Sequence, residues 1–137
     1  MRLINDDALA IVTIYMEARG EHFEGKLGVA EVILNRQRQK PGRTVAHVVA
    51  RAFQFSGWNT RDHNRIPSLL IDDELPVVKE CREAWRAAKD GTELTEGATH
   101  YMNVKLVMRL RGKLPKWVGR MEETVKIGAH TFYKRKK

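Results

Sequence analysis

The apolar run from Ala8 to Ala18 constrains the fold more than any other segment of the chain. Thr13 and Glu17 are its only fully polar members. A helix that is apolar almost all round packs inside a hydrophobic core rather than on a surface. The sequence therefore predicts a buried first helix from Asp7 to Arg19, which Gly20 ends. The candidates for its N-cap are Asn5, Asp6 and Asp7.

Glu17 is the most informative residue of this predicted helix. Thr13 and Glu17 are four positions apart, so both side chains lie on one face. A carboxylate in low-dielectric surroundings has a raised pKa, because burial penalises its charged form. A glutamic acid that keeps its proton near neutral pH can serve as a general acid. The alternative is a structural carboxylate that caps neighbouring backbone or pairs with Arg19.

Length and composition are typical of one globular domain, residues 1–137 with a basic tail at 134–137. The chain is 42% hydrophobic and 31% charged, and no apolar run approaches the ~20 residues that span a bilayer. Two acids precede the apolar run where a signal peptide would carry bases, so we expect cytoplasmic synthesis without a leader. The single cysteine, Cys81, excludes an internal disulfide and is expected to be a small buried group.

Positive charge is concentrated near the C-terminus. The chain has 25 Lys and Arg against 17 Asp and Glu, a formal charge of +8. The run from Lys105 to Arg120 contains no acid, and the tail from Lys134 to Lys137 is entirely basic. A basic face favours nucleic acid, an anionic envelope or an acidic polymer. A nucleic-acid-binding module is therefore the rival class, although no helix-turn-helix or single-strand-binding motif is present.

The rest of the pattern indicates an α+β fold that is mostly helical. Further helices are predicted from Glu24 to Arg38, from Thr44 onward, and from Leu75 to Asp90. The segments 98–103 and 127–133 are β-prone and are predicted to pair as a small antiparallel ribbon. Residues 53–67 have no regular period and contain aromatic side chains, which is typical of an ordered functional loop.

Most catalytic motifs are missing, and carboxylate chemistry remains. No metal-binding, nucleophile-elbow or nucleotide-binding motif is present, so we expect no cofactor and no metal. His100 and His130 could meet across the predicted ribbon, which leaves a weak metal option. Glycoside hydrolysis commonly uses two carboxylates, and the candidates beside Glu17 are Glu21 and Glu31. The structural alternatives are a helix-dipole role for Glu21 and a solvated or salt-bridged Glu31.

Five blocks resemble the SleB-type cell-wall hydrolases, which include spore-cortex-lytic enzymes and several phage endolysins. They run in order over nearly the whole chain, at 14–21 (IYMEARGE), 24–36, 54–58 (QFSGW), 98–103 and 127–133. The resemblance implies a compact lysozyme-like α+β domain that acts on peptidoglycan, with Glu17 as catalytic acid. One departure is Glu31, which stands where the family's second helix is commonly uncharged, so a water-activating role for it stays open.

The resemblance further implies a lytic transglycosylase, in which one residue acts first as acid and then as base. We expect a monomeric phage endolysin, held in the host cytoplasm until a holin-type breach releases it to the periplasmic wall. The alternative is a hydrolytic lysozyme. The basic surface is expected to contact an anionic envelope, and no nucleic acid is expected. The predicted substrate-binding residues are Thr13, Gln54, Phe55, Ser56, Trp58, Tyr101, Asn103 and His130.

Overall fold

The computed structural model describes residues 5–50 and 74–136. Its helical part comprises α1 (Asp6–Ala18), α2 (Phe23–Gln39), α3 (Val45–Val49) and α4 (Pro76–Gly91). These bounds confirm the predicted helices to within a residue or two. The Asn5 side chain accepts a hydrogen bond from the Ala8 amide at 2.8 Å, and the Thr44 hydroxyl accepts one from the His47 amide at 3.1 Å. Both residues are therefore N-caps, as their types predict.

The core lies where α1, α2, α3 and α4 pack together. Its centre on α2 is fully buried and consists of Val29, Ala30, Val32 and Ile33. Helix α4 contributes one apolar face, on which Trp85 is 4% exposed and Cys81 is fully buried. Burial raises the pKa of the Cys81 thiol to about 11. Cys81 is thus the small buried group that the sequence predicted, and its thiol is protonated at neutral pH.

A three-stranded antiparallel sheet packs against the helices, in the order β1-β3-β2. The strands are β1 (His100–Met102), β2 (Met121–Ile127) and β3 (His130–Arg135). The predicted ribbon is confirmed, because β1 pairs with β3 and Tyr101 lies opposite Phe132. This arrangement agrees with the predicted fold class, mostly helical α+β.

The predicted single strand over 127–133 is wrong in one respect. Ile127 ends β2, and a turn at Gly128 and Ala129 leads into β3. Gly128 has φ +57°, and a Cβ there would lie 2.6 Å from Oε1 of Glu21. Because a positive φ favours glycine, the chain reverses at this position instead of continuing as one strand.

The basic run also contains elements that the sequence analysis did not predict. Helix α5 (Val104–Arg111) has Asn103 as its N-cap, whose side chain accepts a hydrogen bond from the Leu106 amide at 3.0 Å. It ends at Gly112, and a short 3-10 helix follows at Lys116–Arg120. No residue of α5 is buried. This helix therefore lies on the surface and contributes little to the core.

Two contacts fix the sheet against α2. A Cβ at Gly28 would lie 2.5 Å from Cζ of Phe132, so the absence of a side chain lets the ring approach the helix. Asn35 donates from Nδ2 to the Ala98 carbonyl at 2.9 Å, just before β1. Together these contacts set the position of Tyr101 and His130 relative to the helices.

The predicted aromatic loop at 53–67 lies outside the described residues. Among the helices of the described ranges, none combines the length and apolar character that a membrane span requires.

Candidate active site

Glu17 lies in the last turn of α1, where the helix meets the sheet. Its side chain is partly exposed, unlike the fully buried Thr13 one turn earlier. Oε1 of Glu17 accepts a hydrogen bond from the Tyr101 hydroxyl at 2.6 Å. At this length, within the usual range for a hydroxyl donor and an oxygen acceptor, the bond fixes the direction in which the carboxyl group points. The fold thus joins α1 to β1 through the carboxylate that the sequence singled out.

Tyr101 is enclosed by aromatic rings. Its ring centroid lies 4.9 Å from that of His130, edge to face, and 5.7 Å from that of Phe132. Burial raises the pKa of Tyr101 well above its usual value, and the Glu17 charge and hydrogen bond act in the same direction, while Arg36 opposes them. Tyr101 is therefore a neutral hydrogen-bond donor throughout the physiological pH range.

His130 and Glu21 extend this cluster on the side of the β2–β3 turn. Nδ1 of His130 lies 3.8 Å from Oε1 of Glu21 and has no hydrogen-bond partner within the described ranges. Burial lowers the pKa of His130, and the Glu21 charge only partly opposes this effect. His130 is therefore neutral at pH 7 and packs as an aromatic ring against Tyr101.

Glu21 holds the turn between β2 and β3. Its Oε1 accepts a hydrogen bond from the Ala129 amide at 2.8 Å, and the same oxygen closely approaches Gly128. The carboxylate therefore has a structural contact with the hairpin, which differs from the predicted role at the helix dipole. Its backbone carbonyl accepts a hydrogen bond from the buried Lys26 ammonium.

Glu31 is buried, with 3% of its surface exposed. Its two oxygens accept four hydrogen bonds of 2.6–2.9 Å, which come from the hydroxyls of Thr92 and Thr95 and the amides of Leu94 and Thr95. The expectation of a solvated or salt-bridged Glu31 is therefore wrong. The carboxylate ties α2 to the segment that follows α4, and its lone pairs are occupied by protein donors.

Two other predicted substrate-binding residues, Thr13 and Asn103, make local hydrogen bonds within or next to a helix. Thr13 is fully buried and its hydroxyl donates to the Leu9 carbonyl at 2.7 Å, so its observed role is packing within α1. The observed role of Asn103 is to cap α5, although it also borders a surface groove. The predicted loop residues lie outside the described residues; they are Gln54, Phe55, Ser56 and Trp58.

Sequence reasoning missed two buried cations near the site. Lys26 is 3% exposed and forms an ion pair with Glu80 on α4 at 2.9 Å, besides its bond to the Glu21 carbonyl. Arg36 is 5% exposed, and its charge acts on Tyr101. Their positions in the α2 pattern gave no sign of burial, because long basic side chains usually lie at a surface.

The option that His100 and His130 meet across the ribbon is not realised in the sheet. His100 lies opposite Tyr133 and His130 lies opposite Ile127, so the two histidines are at different levels of the sheet. In the described ranges, no three His, Cys, Asp or Glu side chains are grouped as metal ligands would be. The ionisable side chains that the structure brings together at the candidate active site are carboxylates, a tyrosine and a neutral histidine.

A mostly helical domain that presents a partly exposed glutamate beside a small antiparallel sheet defines a lysozyme-like enzyme class. The model of the cell wall hydrolase family matches residues 20–133. The chain belongs to this family, and it is a peptidoglycan-degrading enzyme. The family match begins three residues after Glu17, so the assignment does not depend on that residue.

Solved structures agree with the family assignment. The catalytic domain of the Bacillus cereus SleB protein is 27% identical, with a TM-score of 0.73, over 95% of this chain and 90% of that one. The catalytic domain of the germination-specific lytic transglycosylase SleB from Bacillus anthracis is also 27% identical, with a TM-score of 0.73, over 97% of each chain. A search of curated protein sequences found no match.

Proposed function

We propose that the chain is a lytic transglycosylase that cleaves the β-1,4 bond between N-acetylmuramic acid and N-acetylglucosamine. The observation that carries the proposal is the 2.6 Å bond between Tyr101 and Glu17, which orients a partly exposed carboxylate. The two other candidate carboxylates, Glu21 and Glu31, are both engaged by backbone amides. The similarity to a structure described as a lytic transglycosylase supports the same reaction.

In the proposed mechanism Glu17 acts twice. Its protonated carboxyl donates a proton to the glycosidic oxygen, and the bond from C1 of the muramyl sugar to that oxygen breaks. The muramyl 6-hydroxyl then attacks C1, and the Glu17 carboxylate accepts the hydroxyl proton. The products are a 1,6-anhydromuramyl end and a free 4-hydroxyl on the departing sugar. A single acid–base residue suffices because the nucleophile belongs to the substrate.

For Tyr101 and His130 we propose a role other than the predicted contact with the substrate. We propose that Tyr101 orients Glu17, since its hydroxyl is committed to that carboxylate. His130 supports the Tyr101 ring through an edge-to-face contact. Sugar binding by Gln54, Phe55, Ser56 and Trp58 stays a prediction.

The first test replaces Glu17 with glutamine and measures the lysis of purified peptidoglycan. Glu17→Gln keeps the shape of the side chain but removes the exchangeable acidic proton, so we expect activity to fall by at least about 10³-fold. Glu83→Gln, at an exposed position of α4, is the matched control and should retain full activity. Folding is checked by circular dichroism and urea unfolding. Full lysis by folded Glu17→Gln would refute the mechanism.

The second test separates transglycosylation from hydrolysis by mass spectrometry of the products. Anhydro ends, lighter by one water than reducing ends, are expected. Reducing ends would identify a hydrolytic lysozyme and direct attention to Glu21 and Glu31 as the group that activates water.

For the biological setting, we propose a monomeric phage endolysin that is kept in the host cytoplasm and reaches the wall after a holin-type breach. The resemblance to a family with phage members supports the endolysin role. The net charge of +8 supports contact with an anionic envelope. Expression in bacteria should leave the cells intact until chloroform opens the inner membrane, after which they should lyse. Lysis without such permeabilisation would contradict cytoplasmic storage.

A further inference from the structure

A groove of about 880 Å³ lies between α5 and the sheet. Three cations line it, Lys105 and Arg109 from α5 and Lys126 from β2, against the single carboxylate of Glu123. This set of residues is named the basic groove here. Within the described ranges, none of the three cations forms an ion pair, although ion pairs elsewhere engage Lys26, Lys79, Lys89 and Lys134.

Unpaired cations around a concavity favour an anionic ligand. Cations that face one space repel one another, and an anion in that space relieves the repulsion. The floor and walls also include apolar side chains, among them Leu106 and Leu114. A ligand that fits both features carries carboxylates together with small apolar groups. The volume is that of a site for a small molecule or short peptide.

The basic groove begins beside the candidate active site. Asn103 on its rim follows Tyr101 by two residues, a separation of about 7 Å along an extended chain. On the other side, Ala129 borders the groove and donates its amide to Glu21. Glu21 in turn lies 3.8 Å from His130, which packs against Tyr101. The groove lies on the opposite face of the sheet from the Tyr101 ring, because its lining residues Thr131 and Tyr133 alternate along β3 with Phe132, the partner of Tyr101. A substituent of a substrate bound at Glu17 therefore enters the groove around the end of the sheet, past Asn103 and Ala129.

We propose that the basic groove binds the peptide stem of peptidoglycan, through the free carboxylates of that stem. The inference rests on the proposed cleavage at Glu17. The stem is attached to the muramyl sugar whose C1 is attacked, so it leaves the glycan next to the cleaved bond. Its carboxylates match Lys105, Arg109 and Lys126, and its alanine methyl groups match the apolar lining. The groove thus selects stem-bearing glycan over bare glycan.

The test compares two substrates and two double variants. The substrates are purified peptidoglycan glycan strands with their stems and the same strands after an amidase has removed them. Lys105→Gln with Arg109→Gln removes two exposed groove charges. Arg38→Gln with Lys40→Gln removes the same charge from exposed positions at the end of α2, outside the groove, and is the matched control.

We expect the groove variant to raise KM for stem-bearing strands about fivefold to tenfold with kcat unchanged. Its KM for bare strands should equal that of the unaltered enzyme, and the control variant should alter neither substrate. A free stem peptide should inhibit the unaltered enzyme, and its amidated form should not. Equal effects on both strands, or equal effects of the control variant, would overturn the proposal. So would equal inhibition by a phosphate polymer, because that result marks a general polyanion surface.

The outcome is independent of the test of the catalytic proposal. One combination is that Glu17→Gln loses activity on both stem-bearing and bare strands while the groove variant affects the two strands equally. That combination refutes only the groove proposal and leaves the catalytic proposal standing. Retained lysis in Glu17→Gln refutes the proposed mechanism, whereas stem-dependent KM changes would still place a stem subsite in the groove.

Discussion

Replacing Tyr101 with phenylalanine tests whether this residue orients the proposed catalytic acid or contacts the sugar. The substitution removes one hydroxyl and keeps the ring, so its contacts with His130 at 4.9 Å and Phe132 at 5.7 Å persist. What is lost is the 2.6 Å hydrogen bond to Glu17. Hydrogen bonds to charged groups contribute about 1.5–3 kcal/mol, and 1.4 kcal/mol corresponds to about tenfold in rate.

We therefore expect kcat to fall about 10- to 100-fold in Tyr101→Phe, with KM nearly unchanged. An orienting residue acts on the chemical step, because a misdirected carboxyl reaches the glycosidic oxygen less often. A residue whose hydroxyl contacts the sugar equally in the ground and transition states would instead raise KM. Initial rates on soluble glycan strands of defined length measure the two constants separately.

Tyr15→Phe is the matched control for this experiment. Tyr15 lies on the same helix two residues before Glu17, and its ring contacts the Arg19 guanidinium at 5.4 Å. Its loss of a hydroxyl should leave kcat and KM unchanged. A Tyr101→Phe enzyme with normal kcat would refute the orienting role, and a raised KM alone would restore the original prediction of a substrate contact.

Three further substitutions test the surrounding structure. Glu31→Gln should lower the free energy of unfolding by about 3 kcal/mol, because four donors lose a buried carboxylate, while kcat of the folded enzyme persists; normal stability with lost activity would instead indicate catalysis. Gly28→Ala should cost about 1–3 kcal/mol in urea unfolding through its clash with Phe132, whereas Gly20→Ala, in open space, should not. His130→Phe should reduce the loss of stability on acidification below pH 6.5. The pKa of folded His130 is lowered from 6.5, so the unfolded chain binds the proton first and folding weakens as pH falls; equal urea midpoint shifts between pH 7 and 5 in both proteins would contradict this.

The helices could be predicted because their signals are local. The apolar run of α1, the caps Asn5 and Thr44, and the amphipathic pattern of α4 each depend on residues within a few positions of one another. The pairing of β1 with β3 followed from two β-prone segments. Strand β2 was missed because its charged residues, such as Glu122 and Lys126, hide the alternation of a half-exposed strand.

The candidate acid could be predicted for a related reason, and its partners could not. A glutamate in an apolar helix is visible in one dimension, so Glu17 stood out. Tyr101 is 84 positions away, and only the packing of the sheet on α2 brings its hydroxyl to that carboxylate. The same holds for Glu31 and Lys26, whose burial is compensated by groups distant in sequence.

By itself, the sequence determined which segments become helices, which sign of charge predominates and which carboxyl group interrupts the apolar first helix. Tertiary structure alone decided that Glu21 holds a hairpin, that Glu31 is a buried tie and that Tyr101 binds Glu17. The physical reason is that helix propensity and capping act over a few residues, whereas hydrogen bonds and desolvation of ionisable groups depend on neighbours in space.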